Sequence, residues 1–254
     1  MISKNQIKQI QALHLKKNRE LENLFIVEGI KTVNEFLNQS KFPVKNVYAT
    51  SNYLHEYENE LQKNSIKYTE ITEEELIKIS TQQTPNQVLA VVEKSNNNID
   101  SEYLNHQINL YLDDIRDPGN LGTIIRVADW FGIKQIICSP KTTEVYNPKT
   151  IQASMGAIIR VNVIYKNLVD IKSSLNNVPL YASVLNGKNI YTHPLKKGII
   201  IIGNEANGIS KEILDVANEF ITIPAAQNNG SESLNAAIAC SIICSEFHRQ
   251  LNFN

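Results

Sequence analysis

The chain of 254 residues is poor in the residues that mark disulfide-rich, metal-binding and membrane proteins. It has three cysteines, Cys138, Cys240 and Cys244, and no Cys-x-x-Cys pair, so we expect buried, reduced thiols rather than a disulfide framework. The five histidines lack the spacing of a metal site. No apolar run reaches the roughly 18 residues of a membrane-spanning helix, and the N-terminus lacks an apolar signal core. These absences favour a cytoplasmic protein without a bound metal.

The chain also lacks a strong net charge. Its formal charge of -1 excludes a protein that is basic over its whole surface and binds nucleic acid in that way. Basic residues nevertheless outnumber acidic ones in the first 45 residues, and the balance reverses from Val47 to Lys94. The N-terminal excess predicts either a local nucleic-acid-binding face or an ordinary solvated helix face.

Several catalytic motifs are missing as well. The chain has no Gly-x-Ser-x-Gly elbow, no Gly-x-x-x-x-Gly-Lys-Ser/Thr loop and no Gly-x-Gly-x-x-Gly after a strand. Hydrolase, kinase and zinc-enzyme functions are therefore not indicated.

The pattern of apolar residues predicts two α/β parts. Residues 1–95 alternate short helices with strands such as LFIVEG and QVLAVVEK, and Ser3 with Gln6 predicts a capping box at the first helix. The polar, aperiodic segment 96–106 predicts a linker. In residues 107–254, strands alternate with helices, and a long apolar helix from Ser233 to Leu251 ends the chain. Such alternation predicts a mostly parallel sheet with helices on both faces.

Three loops in the second part carry polar residues that packing does not require. Each loop follows a predicted strand, and ligands of open α/β sheets bind beyond the carboxyl ends of the strands. In the first loop, DPGNLGTIIR, Asn120 fits a helix N-cap. Arg126 fits either an exposed surface residue or a bidentate phosphate contact, and the residue types alone leave both interpretations open.

The other two loops carry a glutamate and an asparagine. In IIIIGNEANGIS, Glu205 lies between Gly203 and Gly208, which permit either close backbone approach to a ligand or an ordinary tight turn. In ITIPAAQNNGSESLNAAIACSIIC, Ser233 is predicted to cap the last helix and Asn235 to lie just inside it. Asparagine is a poor helix former and a buried amide needs partners, so Asn235 is a candidate functional residue.

Together these stretches resemble the SpoU/TrmH family of RNA 2'-O-ribose methyltransferases, within the SPOUT superfamily. KTIQASMGAI matches a further family stretch, and KKNRELENLFIVEG is similar to the family's substrate-binding domain. The resemblance covers Leu110 to the C-terminus and rests on three motifs in order: Asn120 with Arg126, Glu205 in GNEANG, and Ile223-Pro224 with Ser233-Leu234-Asn235.

The resemblance implies an α/β fold in which a catalytic domain (107–254) contains a mostly parallel sheet and a C-terminal trefoil knot. A smaller, ribosomal-protein-like RNA-binding domain (1–95) precedes it. The resemblance further implies S-adenosyl-L-methionine as cofactor, no metal, a homodimer, and RNA rather than DNA or a membrane as partner. The implied residues form three sets: catalytic, Asn120, Arg126, Glu205, Ser233 and Asn235; cofactor-binding, Ser183, Gly203, Ile223 and Leu234; RNA-binding, Lys16, Lys17 and Arg19.

The function implied by the resemblance is methylation of a ribose 2'-hydroxyl in ribosomal RNA of the 23S type. A tRNA-directed enzyme of the same family and a non-catalytic RNA-binding protein with this fold are the alternatives. Arg126 is expected to hold a phosphate or to stabilise the developing alkoxide, because a guanidinium stays protonated and is a poor base. The chain departs from the family at Gln152, where a basic residue is common, and in its longer loop 225–232.

Overall fold

A computed structural model describes the protein over residues 2–226, 230 and 232–253. The chain divides into two compact units, and each is built from two segments. Unit 1 comprises Met1–Asn96 and Glu144–Ile159, and unit 2 comprises Asn97–Thr143 and Arg160–Asn254. The segment Glu144–Ile159 therefore belongs to the unit that contains the N-terminal region, although it lies within the second predicted part of the sequence.

The helices and strands follow one another along the chain in two stretches. Up to residue 96 the order is α1 (Lys4–Ala12), α2 (Lys16–Glu22), β1 (Leu24–Glu28), α3 (Ile30–Leu37), β2 (Val44–Ala49), α4 (Ser51–Lys63), β3 (Tyr68–Glu70), α5 (Glu73–Ile79) and β4 (Val88–Glu93). It continues with α6 (Ser101–His106), β5 (Asn109–Leu112), α7 (Pro118–Trp130), β6 (Gln135–Cys138), α8 (Pro148–Ser154), β7 (Asn162–Tyr165), α9 (Leu168–Ile171), β8 (Leu180–Asn189), β9 (Ile199–Ile202), α10 (Lys211–Leu214), β10 (Glu219–Thr222) and α11 (Ala236–Asn252).

Unit 1 is built on a four-stranded sheet in the order β1-β4-β2-β3. Strand β4 pairs antiparallel with β1 and β2, and β3 pairs parallel with β2. The Phe25 ring packs edge to face with Phe36 and Phe42, at centroid distances of 5.9 and 5.8 Å. The ring of Tyr146 lies 4.8 Å from Phe25, so the second segment of unit 1 completes this aromatic core.

Unit 2 is built on a six-stranded sheet in the order β10-β8-β9-β5-β6-β7, and all of these neighbours are parallel. The predicted mostly parallel sheet is confirmed. Helices α9 and α10 cover the face that carries Ile199 and Ile201. Ile200 and Ile202 alternate with them along β9 and are also buried, on the side where α7 and α11 contact the sheet. The three cysteines are buried, as predicted.

The first turns of α1 and α7 differ in how well the sequence predicts them. Ser3 and Gln6 form the predicted capping box, since Ser3 Oγ accepts from Gln6 N at 3.2 Å and Gln6 Oε1 accepts from Ser3 N at 3.0 Å. Helix α7 is capped by Asp117, whose carboxylate accepts from Asn120 N at 2.8 Å. The prediction that Asn120 is the cap is wrong, because Pro118 occupies the first helical position and places Asn120 third.

The start of α11 also differs from the prediction. Asn235 lies at the N-cap, where its Oδ1 accepts from Ala237 N at 2.9 Å and from Ile238 N at 3.3 Å. The expectations that Ser233 caps this helix and that Asn235 lies inside it are therefore wrong. Both asparagine and serine are favoured at N-caps, so residue type could not decide between them.

The segment predicted as a linker, 96–106, contains helix α6. Its N-cap, Asp100, accepts a hydrogen bond from Tyr103 N at 2.9 Å. Asn97 Nδ2 donates to the Val163 carbonyl at 3.0 Å, which ties the segment to the edge strand β7 of unit 2. Over the described residues, none of the helices has the length and apolar character needed to cross a membrane.

Candidate functional site

The loops of the first two motifs meet at the carboxyl ends of neighbouring strands in unit 2. Strand β5 ends at Leu112 and leads into α7, and strand β9 ends at Ile202 and leads into the loop of Glu205. The two strands are paired in the sheet. Asn204 Nδ2 donates to the Asp114 carbonyl at 2.8 Å and so joins the two loops. This is the edge of an α/β sheet at which ligands bind.

Asn120 links one residue from each of the three motifs. Its Nδ2 donates a hydrogen bond to Oε1 of Glu205, and its Oδ1 accepts one from Nδ2 of Asn235 at 3.0 Å. Asn120 and Glu205 are half-buried and Asn235 is exposed, so a ligand can reach the group. A carboxamide is needed at position 120, because these two bonds use one donor and one acceptor.

Arg126 does not belong to this hydrogen-bonded group. It lies six residues after Asn120 on α7, which places it about 240° further around the helix axis. Its side chain is exposed and makes no hydrogen bond or ion pair with any other residue that the structure describes. A guanidinium left open in this way can bind a phosphate through its planar fork.

Arg126 lines a groove of about 610 Å³ between α7 and α11. The groove is rich in aromatic side chains, and two of them are unusually open: Trp130 is 84% exposed and Tyr191 is 49% exposed. Glu246 on the groove wall accepts hydrogen bonds of 2.8 and 2.7 Å from Arg249, which hold the pKa of that carboxyl below its usual value. Glu246 therefore has its own cationic partner, and Arg126 forms no ion pair with it or with another residue in the described part of the chain.

The residues predicted to bind the cofactor lie within β8 or after β9 and β10, and these three strands are neighbours in the sheet. Along β8, Ala182 pairs with Phe220 whereas Lys188 pairs with Ile221, so Ser183 lies in a stretch that leaves the ladder. Ile223 and Leu234 follow β10, and Leu234 is 46% exposed. Residues 227–229 and 231 of the longer loop lie outside the described residues.

Gly203 is needed for the tight turn, which is one of the two interpretations that the sequence left open for this loop. A Cβ at Gly203 would lie 2.4 Å from the carbonyl carbon of Gly208, because Asn204 and Gly208 pair in a short antiparallel bridge. Gly208 has φ of +67°, a conformation that L side chains rarely adopt. The two glycines therefore fold the Glu205 loop onto its own backbone.

Of the three residues predicted to bind RNA, Lys16 and Lys17 are exposed on α2. Arg19 is 2% exposed and donates to the Glu144 carboxylate, through Nε at 3.2 Å and through Nη2 at 2.5 Å. Its Nη1 donates to two backbone carbonyls at the end of α1, at 2.8 and 2.9 Å. The prediction is therefore wrong for Arg19, because its charge is buried and neutralised within unit 1.

Two further residues of the sequence analysis are exposed. Ser233, in the third motif, and Gln152, on α8, make no side-chain hydrogen bond to another described residue.

Two residues that the sequence analysis missed shape the site. Asp117 caps α7, and Asn204, which is 8% exposed, lies next to Glu205 in the chain. Asp followed by Pro is a signal for the cap, whereas asparagine in a glycine-rich loop is too common to single out Asn204.

Comparisons with known proteins agree with this architecture. Residues 107–245 match the model of the SpoU rRNA Methylase family, and residues 4–90 match the MRM3-like substrate binding domain. The chain is 28% identical over 246 residues to the 23S rRNA (guanosine(2553)-2'-O)-methyltransferase RlmP of Bacillus subtilis (strain 168), covering 95% of each chain.

Solved structures extend the likeness to the whole fold. A protein from Porphyromonas gingivalis assigned to the TrmH family of RNA methyltransferases is 34% identical, with a TM-score of 0.84 and coverage of 98% of this chain and 99% of that one. An AdoMet-bound rRNA methyltransferase from Sinorhizobium meliloti is 26% identical, with a TM-score of 0.84 and coverage of 100% and 97%. The matched family model spans more than half of the sequence, and the chain belongs to the SpoU rRNA methylase family.

Proposed function

We propose that this protein transfers a methyl group from S-adenosyl-L-methionine to a ribose 2'-hydroxyl in ribosomal RNA of the 23S type. The observation that carries the proposal is the hydrogen-bonded group of Asn120, Glu205 and Asn235, in which each residue comes from a different family motif. The relative RlmP is named for this reaction on 23S rRNA, which supports the choice of substrate.

The cofactor would lie against Ser183 in β8 and against the loops that carry Gly203, Ile223 and Leu234. These segments offer backbone hydrogen-bonding groups together with exposed apolar side chains, such as Leu185 of β8 at 71% exposure. Such a surface fits an adenine ring and an aliphatic chain. The bound cofactor would supply an already activated methyl group, so we expect no metal requirement.

Arg126 would act on the RNA rather than on the cofactor. Its guanidinium can hold the phosphate next to the target ribose and can stabilise negative charge as it develops on the 2'-oxygen. A protonated guanidinium does not take up the hydroxyl proton, so a phosphate oxygen held by Arg126 would receive it. Asn120, Glu205, Ser233 and Asn235 would order the target nucleotide through their amide, carboxylate and hydroxyl groups.

The protein would work as a homodimer joined through the α7/α11 groove. Exposed Trp130 and Tyr191, together with Ile238 at 52% exposure, form an apolar surface of the kind that marks an interface. Arg126 lies in this groove and points away from Asn120 of its own chain. In a two-fold dimer, Arg126 would therefore serve the site of the partner subunit.

Mixing two inactive variants tests this arrangement. Arg126→Ala and Glu205→Ala proteins, unfolded together and refolded, would form mixed dimers in which one site holds both intact residues. About a quarter of wild-type activity should return if the sites are shared. No return of activity would place Arg126 and Glu205 of a single chain at one site.

Unit 1 would bind the RNA outside the target nucleotide, through Lys16 and Lys17 on α2. Phosphate contacts of this kind make binding weaken as the salt concentration rises. We further propose a cytoplasmic location and a trefoil knot in the loops that surround the cofactor. Membership of the family supports these proposals, and the exposed lysines support the RNA-binding role of α2.

One experiment tests the proposed reaction directly. Purified protein is incubated with total RNA and cofactor labelled in the methyl group, and the labelled position is mapped. We expect one 2'-O-methylated nucleotide in 23S RNA. Label found in tRNA would identify the tRNA-directed alternative, and cofactor that neither binds nor reacts would support the non-catalytic one.

A further inference from the structure

We propose that Asn204 is a positioning residue for the reaction, and that it holds Glu205 where Asn120 can bind it. The proposal rests on the proposed function, because only the proposed methyl transfer gives Glu205 a catalytic role. Asn204 precedes Glu205 directly, yet its side chain points into the protein and is 8% exposed. A ligand cannot contact it to any useful extent, so Asn204 would act through its neighbours.

The side chain of Asn204 uses its two ends for different tasks. Its Oδ1 accepts hydrogen bonds from Ala206 N at 2.8 Å and from Asn207 N at 3.1 Å, which close the turn around Glu205. Its Nδ2 donates to the Asp114 carbonyl at 2.8 Å, which fastens that turn to the loop before α7. Residue 204 is therefore the point at which the Glu205 turn is attached to the loop that leads to Asn120.

The Asp114 end of this link is itself fixed. Asp114 has φ of +56°, and its backbone N–H donates to Ser139 Oγ at 2.9 Å. A carbonyl held in this way is a stationary anchor for the Asn204 amide. From Asn204 a continuous series of contacts runs through Glu205 and Asn120 to Asn235, whose Oδ1 caps α11. A change at Asn204 should therefore reach the first turn of α11.

Asn204→Asp separates the two tasks of the side chain. Aspartate retains an acceptor for the two turn amides but replaces the donor with an oxygen that repels the Asp114 carbonyl. Asn207→Asp is the matched control, because Asn207 lies in the same turn, is exposed, and makes no side-chain hydrogen bond to another described residue. Both substitutions add one negative charge to the turn of Glu205, so the control corrects for the charge itself, while the lost donor and the burial of the charge are specific to Asn204→Asp.

The first measurement is the turnover of full-length protein on RNA. A displacement of about 1 Å at a catalytic group can lower turnover on the order of 100-fold, so we expect a loss of about 10- to 100-fold for Asn204→Asp. The control variant should stay close to wild type. In a Glu205→Ala background, Asn204→Asp should cause little further loss, because alanine has no acceptor for Asn120 and a residue that acts through Glu205 then has nothing left to position. Additive losses would overturn the proposal.

The second measurement does not depend on activity. Hydrogen–deuterium exchange of the Ala237 and Ile238 amides should become roughly two- to fivefold faster in Asn204→Asp, since Asn235 would hold its cap less firmly. Exchange that changes only within residues 204–208 would overturn the proposal. A wild-type protein that is inactive on every RNA would refute the proposed function, while the exchange result would still decide whether Asn204 positions Glu205.

Discussion

Replacing Arg126 with lysine separates a catalytic arginine from an ordinary exposed one. Lysine retains the positive charge but offers a point charge in place of the planar fork that binds a phosphate bidentately. Loss of one preorganised donor to a developing charge lowers turnover by about 10²- to 10³-fold, or about 2.7–4 kcal/mol. We therefore expect Arg126→Lys to reduce single-turnover methylation by at least about 100-fold.

The surroundings of Arg126 make the result easy to interpret. Its side chain is exposed and bonds to no other described residue, so the substitution should change the unfolding free energy by less than about 0.5 kcal/mol. The loops proposed to bind the cofactor do not include it, so the dissociation constant of the cofactor should barely change. Loss of turnover would then not arise from unfolding or from an empty cofactor site.

Arg160→Lys is a suitable control in the same unit. Arg160 is also exposed, but its guanidinium donates to the Asp129 carboxylate at 3.0 and 2.8 Å and has a partner within its own chain. Single-turnover methylation is measured with cofactor labelled in the methyl group and with enzyme in excess over RNA. Near-normal rates for the Arg126 variant would refute the proposed role and leave Arg126 as a surface residue. The control should match wild type.

Four other results are expected. Arg19→Leu should lower the unfolding free energy by about 3–5 kcal/mol in urea titrations, because it leaves the Glu144 carboxylate without its main buried partner; a loss below about 1 kcal/mol would contradict the role given to this pair. Combined Lys16→Ala and Lys17→Ala should weaken RNA binding and reduce the salt slope by about 2, and an unchanged slope would remove α2 from the RNA surface. Trp130→Glu should yield monomers in light scattering; intact dimers would exclude the groove as the interface. A chelator should leave the calorimetric affinity for the cofactor unchanged, and a loss of affinity would indicate a metal.

The sequence could predict where the catalytic candidates lie in the fold, because each of them follows the carboxyl end of a predicted strand. The carboxyl ends of parallel strands share one edge of the sheet, so residues after β5, β9 and β10 had to lie near one another. Asn120 and Glu205 met this expectation and are bonded to each other, and Asn235 is bonded to Asn120. The individual bonds were less predictable, since Asp117 and Asn120, or Ser233 and Asn235, are equally suitable N-cap residues by type.

Residues governed by long-range partners could not be predicted. Arg19 looked like part of a basic cluster because its neighbours in sequence are lysines, but Glu144, 125 positions away, determines its environment. The assignment of Glu144–Ile159 to unit 1 has the same origin, since no local pattern shows that Tyr146 will pack on Phe25. Local spacing carries information about helices and strands, whereas such contacts depend on the completed fold.

The division of unit 1 between two chain segments has a consequence for protein synthesis. Domains commonly fold from the N-terminus as they leave the ribosome, at about 5–20 residues per second. Here the first 96 residues emerge without Tyr146 and α8, so the part of the Phe25 ring that Tyr146 covers stays exposed until Ile159 has been added, roughly 3–13 s later. Transiently exposed apolar surface promotes aggregation, so slower translation before codon 159 should increase aggregation of the nascent chain.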